Sequence, residues 1–234
     1  MKVAIYTITR NRLDLTKKSF SMLRKCAGCE FDHFVADNGS SDGTGKWLQT
    51  QEAEGRITKA YVAGQNLGQN IAANILLDWI MDADYDVIIR WDNDAIPRSK
   101  RLIKRLAKSC LAFKEAGLPT VCSPKITKLK NEPEAIGAGE DVGFKYEAVM
   151  ILGGICRAHP PELFVDWRFN KYGALGFGEA MEIAGQVTSK EWGMVRLPWL
   201  EVEHSEGEDK QAEKWPEYFS FEQKEISKYV GYGL

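Results

Sequence analysis

The residues best suited to chemistry in this chain of 234 residues are Asp92 and Asp94, two carboxylates separated by Asn93. They follow the β-branched run Val87-Ile88-Ile89, so the pair stands where a buried strand meets solvent. Two carboxylates so placed can face a divalent cation together. Mg2+ and Mn2+ favour oxygen ligands, usually one or two carboxylates completed by substrate phosphates and water. A solvated acidic turn, or Asp94 capping the helix after Pro97, explains the same residues without a metal.

Alternating patterns supply the elements that must position this pair. Short apolar runs predict strands over 3–8, 31–36, 57–62 and 87–89. Helical spacing falls between them, over 13–26 with Leu13, Phe20 and Leu23, and over 67–80 with Ile71, Ile75, Leu76 and Trp79 on one stripe. The turn-rich string DNGSSDGT at 37–44 offers Ser41 or Asp42 as a cap for a helix carrying Trp47 and Leu48. Pro97 suits the start of a helix with Leu102, Ile103, Leu106 and Cys110 inward. Such alternation predicts a single α/β domain with a mostly parallel sheet and helices on both faces. Beyond it, strands are expected over 120–127 and 148–156, a charged loop over 128–146 and a helix over 179–188.

In open parallel sheets, ligands bind outside the carboxyl ends of the strands. Polar clusters fall there four times: Thr9-Arg10-Asn11-Arg12, Asp37-Asn38, Asn66, and Asp92-Asn93-Asp94. One would be an ordinary loop; four in succession suggest a single cleft. Each also has a bland account. Thr9 is a strand-end threonine, Arg12 a surface arginine, Asp37 a turn residue and Asn66 a helix cap.

In order and spacing these motifs resemble those of the family 2 glycosyltransferases of the GT-A fold. The matching strings are TITRNR, DNGSSDGT, Asn66-Leu67-Gly68 with Asn74, and Asp92-Asn93-Asp94, over about residues 3 to 97. A weaker match continues in LGGICRAHPPELFVDWRF, where Gly153, Gly154, Arg157 and Asp166 fit an acceptor-side segment. It continues in GEAMEIAGQ, which is similar to the helix that supplies the family's catalytic base, and in EWGMVRLP and VEH at 202–204.

The resemblance implies a GT-A domain whose first half, about 1–97, binds a nucleotide sugar, while about 98–234 forms the acceptor side and an acidic tail. It implies donor or acceptor contacts at Thr9, Arg12, Asp37, Asn38, Asn66, Asp92, Gly154 and Asp166, with Asp37 on the nucleobase. It implies Mn2+ or Mg2+ on Asp94 and His204, and sugar transfer with inversion. Where the family carries the aspartate of a Glu-Asp pair, this chain has Ala180, so the base falls to Glu179, to Glu182 one turn on, or to Asp166. Glu179 and Glu182 also fit a solvated helix face, although the glycine-rich approach GALGFG admits substrate close to the backbone. His204, among acids in EVEHSEGED, equally fits a surface histidine.

Composition bounds the partners. The formal net charge is −2, which gives no general pull toward nucleic acid or anionic membranes. It conceals a basic stripe over 98–130, ten Lys/Arg against one acid, and an acidic stretch over 201–225, nine acids against three lysines. A carbohydrate or small neutral acceptor is therefore expected, with a polyanion such as modified DNA as the alternative the stripe leaves open. Met1-Lys2 leads straight into strand-like sequence and no apolar stretch approaches the roughly 20 residues of a membrane span, so a cytoplasmic protein with reduced thiols is expected. Cys26 and Cys29 form a CxxC without a second pair and are read as structural. Two rival functions stand beside this one: a sugar nucleotidyltransferase, which would share the fold and the metal, and a non-catalytic nucleotide-sugar-binding module. The absence of glycine from Thr7-Ile8-Thr9-Arg10-Asn11 weighs against the first, and against a dinucleotide-binding dehydrogenase.

Overall fold

The computed structural model describes residues 1–129, 132–170 and 177–205, together with Glu213. Its first half runs β1 (Val3–Thr9), α1 (Leu13–Cys26), β2 (Asp32–Asp37), α2 (Thr44–Ala53), β3 (Lys59–Val62), α3 (Gln69–Met81) and β4 (Val87–Trp91). The second half runs β5 (Ala95–Pro97), α4 (Leu102–Glu115), β6 (Thr120–Thr127), β7 (Ala135–Gly139), β8 (Tyr146–Val149) and β9 (Cys156–His159). A short 3-10 helix (Pro161–Phe164), α5 (Phe177–Ser189) and β10 (Gly193–His204) complete it.

The strands form one sheet in the order β3-β2-β1-β4-β9-β6-β10-β8-β7, with β5 paired to β10. The pairs β3-β2, β2-β1 and β1-β4 are parallel. The chain thus steps outward from β1 to β3 and then crosses back to β4 on the other side. That reversal opens a crevice between the carboxyl ends of β1 and β4. Beyond β4 the sheet is mixed: β9 runs antiparallel to β4 and β6, β10 parallel to β6, and β7 and β8 antiparallel. Parallel pairing needs a crossover of a dozen or more residues, so the short link between β7 and β8 allows only a hairpin, while β8 and β9 run in the same direction and pair with different strands.

Several expected boundaries change accordingly. The strand anticipated over 148–156 is two strands, interrupted around Gly153 and Gly154. The anticipated loop over 128–146 contains β7. Pro97 ends β5 instead of starting a helix, and α4 begins five residues later with no side-chain cap, so Asp94 does not cap it. On α3 the fully buried face is Ala72, Ala73, Leu76, Leu77 and Ile80, while Ile71, Ile75 and Trp79 lie at its margins. The two alanines let the helix axis approach β1 and β2 closely.

Alternation along the strands divides the core. Val3, Ile5, Val87, Ile89 and Trp91 face the side covered by Leu102, Ile103 and Leu106 of α4. Ala4, Tyr6, Phe34, Ala36 and Ile88 face the side covered by α3 and by Ile183 and Val187 of α5. The charged face of α4 points outward as expected, with Lys100, Arg101, Arg105 and Lys108 exposed. All five cysteines are free thiols. Among the described residues no helix is long and apolar enough to cross a membrane.

His33 is a buried polar residue inside this core. Its Nε2 lies 3.0 Å from Thr7 Oγ1 and its ring packs 4.5 Å from Phe20. Burial first, and Arg24 second, lower its pKa to about 3. An unfolded histidine takes up a proton below about pH 6.5, so between there and about pH 3 the unfolded chain binds more protons and stability falls as pH falls. Urea midpoints are expected to drop between about pH 7 and about pH 5. His33→Gln should flatten that dependence, with buried His159 supplying the remainder; an unaltered slope in the variant would exclude His33 as a source.

Candidate functional site

The crevice is built by loops that clasp one another. After β1, Asn11 and Arg12 adopt left-handed backbone angles, φ 56° and 62°, which side-chain-bearing residues hold only when their surroundings demand it. The demand comes from the loop after β2. Asn11 N–H donates to Ser40 Oγ at 2.7 Å, and Ser41 N–H donates to Asn11 Oδ1 at 2.9 Å. The N-cap of α2 is Gly43, not Ser41 or Asp42 as expected, but Asp42 still bonds both helix starts: Oδ1 accepts from Thr44 N–H at 3.0 Å, and Oδ2 accepts from Leu13 N–H at 2.9 Å at the start of α1. Partial burial opposes its ionisation, but the bonds from Thr44 and Leu13 outweigh that and hold the carboxyl below its ordinary pKa.

At the end of β2, Asp37 is buried and its carboxylate accepts from the Ser40 hydroxyl and N–H. Burial raises its pKa, and the Ser40 bonds offset this only in part. Asn38 joins this loop to the next: its Nδ2 donates to Asn66 Oδ1 at 2.8 Å and its Oδ1 accepts from Leu67 N–H at 2.7 Å. Gly39, at φ 78°, lies so close to this turn that a Cβ would stand 2.5 Å from the Gln65 carbonyl carbon. Asn66 also accepts from Gly68 N–H at 3.0 Å, ahead of α3.

Arg12 carries the β1 loop across to the acidic loop. Nη1 donates to Asp94 Oδ2 at 2.8 Å and Nη2 to Asn93 Oδ1 at 2.9 Å. Asn93 uses both amide hydrogens on Thr9 Oγ1 at 3.0 Å and Thr16 Oγ1 at 2.9 Å. Thr9, almost wholly buried, is thereby engaged inside the scaffold. From α1, Ser19 Oγ donates to Ala95 C=O at 2.8 Å and accepts from Trp91 Nε1 at 2.9 Å.

His204 arrives at the same loop from far along the chain. Antiparallel pairing of β10 with β5 sets His204 opposite Ala95, Glu203 opposite Ile96 and Val202 opposite Pro97. Its Nε2 lies 3.3 Å from Asp94 Oδ2, and Ser205 N–H donates to Asp94 C=O at 2.9 Å. Asp92, two residues away, keeps 26% of its side chain exposed while Oδ1 accepts from Arg90 Nε at 3.0 Å.

Two carboxylates and an imidazole are donors that Mn2+ accepts. Among the described residues no cluster of three or more His, Cys, Asp and Glu side chains is arranged to hold an ion by itself.

Beside Asp92 lies a buried charge network that adds Arg90, which the sequence reading missed, to Arg157 and Glu179, which it named. Arg90 of β4 stands opposite Arg157 of β9, and both pair with Glu179 in the first turn of α5. Glu179 is 2% exposed. The Arg90 guanidinium also packs on Gly154, where a Cβ would meet Cζ at 3.1 Å. An arginine inside the buried run VIIRW was the available signal for Arg90. Glu182, one turn further, is half-buried and accepts from Asn70 Nδ2 at 2.9 Å and from Asn170 N–H at 2.7 Å. Asn74 binds the Phe169 backbone in both directions, 2.8 and 2.9 Å, so α3 holds the segment before α5. Asp166 is exposed beyond the 3-10 helix. Gly173 and Gly176 of GALGFG lie outside the described residues, as does most of the acidic tail, while Gly178 falls in the first turn of α5.

No protein-family model matches the chain, and no curated protein matches it. Solved structures do. A mannosyltransferase from Pyrobaculum calidifontis, PcManGT, in complex with GDP-Man and Mn2+, is 16% identical over 87% of this chain and 56% of that one, with a TM-score of 0.63. TarS of S. aureus is 15% identical over 88% of this chain and 37% of that one, with a TM-score of 0.64. GalNAc-T7 with UDP, GalNAc and Mn2+ is 13% identical over 88% of this chain and 43% of that one, with a TM-score of 0.65. The chain thus has the GT-A fold and spans little more than half, or less, of the length of these structures.

Asn93 joins three side chains, so its removal takes a partner from the Arg12 Nη2 donor and from the Thr9 and Thr16 hydroxyl acceptors at once. Asn93→Ala is expected to lower the free energy of unfolding by about 2–3 kcal/mol. Urea denaturation monitored by tryptophan fluorescence measures this, and a loss near zero would mean that the loop is held by other contacts.

Proposed function

We propose that this GT-A domain transfers a sugar from a nucleoside diphosphate sugar to an acceptor hydroxyl, assisted by a divalent cation. Asp94 meeting His204 beside Asp92, at the switch point of the sheet, carries the proposal. The GDP-Man and Mn2+ in PcManGT, and the UDP, GalNAc and Mn2+ in GalNAc-T7, support it. Asp37 and Asn38, steadied by Asn66, receive the nucleobase end of the donor; Asp92 faces its sugar or ribose. Asp94 and His204 hold the cation, Mn2+ or Mg2+, which offsets charge developing on the departing diphosphate. Arg12 already spends part of the Asp94 charge, so the ion depends on the diphosphate for the rest of its ligands.

Between the two glutamates, Glu182 is the better proton acceptor. A general base must come within hydrogen-bond reach of the acceptor hydroxyl, and Glu179 is enclosed by two guanidinium groups. Asn70 and the Asn170 N–H fix the Glu182 carboxylate while leaving it half-buried. The acceptor is a carbohydrate or small neutral molecule. The basic stripe of α4 covers one face of the sheet and α5 the other, so those charges do not flank the proposed base.

Titration calorimetry is expected to show UDP or GDP binding more tightly with Mn2+ than without, and Mn2+ alone binding weakly. Asp94→Ala should abolish the difference with the fold intact; equal metal dependence in both proteins would end the assignment. Glu182→Gln is expected to lower turnover by about 100-fold or more with donor binding kept. NMR of the product anomer checks the inversion that a base at Glu182 requires; retention would remove that role. Donor binding without turnover on any acceptor would favour a non-catalytic nucleotide-sugar module.

A further inference from the structure

We infer that Glu179 is a positioning residue: through Arg90 it aims Asp92 into the crevice and couples α5 to the acidic loop. The inference rests on the functional proposal above, in which Asp92 touches the donor.

Tyr6, Arg90 and Arg157 form a row across β1, β4 and β9, since Tyr6 stands opposite Arg90 and Arg90 opposite Arg157. Both arginines are almost wholly buried, at 4% and 0% exposure. Burial, with Arg90 next to it, lowers the Arg157 pKa to about 10, a sign of how poorly this interior tolerates the pair. Burial keeps Tyr6 neutral by raising its pKa, so it supplies no compensating charge. Balance comes from two carboxylates. Glu179 divides its oxygens, Oε2 to Arg90 and Oε1 to Arg157, and Asp92 takes the Nε of Arg90 at 3.0 Å.

Arg90 therefore has one edge on Glu179 and another on Asp92, with Gly154 against its plane. Asp92 is fixed from its backbone too, where its N–H donates to Ile155 C=O at 2.9 Å, next to Gly154. If the Glu179 charge is removed, the two guanidinium groups repel at close range in a poorly solvated setting, and Arg90 can relax only by leaving Asp92. A group acting in this way changes how the donor is held. A proton acceptor would change turnover alone.

Glu179→Gln and the charge-balanced double variant Glu179→Gln/Arg157→Gln separate these roles. Affinity for UDP and GDP in the presence of Mn2+, measured by titration calorimetry, is the readout. Glu179→Gln is expected to weaken the binding seen in wild type by about 10-fold or more, and the double variant to return to within about 3-fold of it, the non-additivity expected of groups in one network. Unchanged affinity in Glu179→Gln, whether turnover or only thermal stability falls, overturns the inference. So does a double variant as weak as the single. Should Glu179→Gln fail to fold, the double variant decides alone: near-wild-type affinity supports the inference and a 10-fold loss overturns it. Wild type binding neither nucleotide would overturn the functional proposal and this inference together; wild type binding with the single variant unaffected overturns the inference alone.

Discussion

The carboxylate of Glu179, between the guanidinium groups of Arg90 and Arg157, is the interaction on which the crevice depends. Two like charges on adjacent buried strands are stable only with nearby counter-charge and hydrogen bonds. The counter-charge comes from α5, so the first turn of that helix must sit over β4 and β9. Arg90 then extends the constraint to Asp92, and Gly154 provides the close approach that lets the guanidinium lie flat.

A second polar hub holds the acidic loop from the opposite side. Arg12 reaches Asn93 and Asp94 from the β1 loop, and Asn93 reaches back to Thr9 and Thr16. The left-handed backbone at Asn11 and Arg12 is what turns Arg12 inward, and the Ser40, Ser41 and Asp42 contacts hold it there. Asp92 and Asp94 are thus each tied to an arginine from a different segment, with Asn93 as the fixed point between them. Such preorganisation suits a site that meets a diphosphate, because the dipoles and charges need not rearrange when the ligand arrives.

The parallel half of the sheet and the four polar strand ends were legible in the sequence, because buried strands, amphipathic helices and turns each have a local signature. DNGSSDGT marked the loop after β2, and α4 carried its buried stripe and charged face where periodicity put them. Legibility fell where pairing is non-local. The three residues of β5 have no pattern of their own and become a strand only because β10 lies beside them, with the paired residues Ile96 and Glu203 107 positions apart. The division of 148–156 into two strands likewise follows from partners, β10 for the first and β4 for the second.

By itself the sequence determined the succession of strands and helices along the first half of the chain and the polar residues at the strand ends, since both rest on residue type and near-neighbour periodicity. The tertiary structure decided what each side chain is bonded to. It put Thr9 into the scaffold and Arg12 onto Asp94, and it brought His204 to the same carboxylate. It also enclosed Glu179 between two arginines while leaving Glu182 half-buried. Sequence alone could not rank the two glutamates, because one helical turn separates them and both lie in the same string. Their surroundings come from β4 and β9 for Glu179, and from α3 and Asn170 for Glu182. Those partners lie from 12 to 112 residues away along the chain, and only packing brings them together.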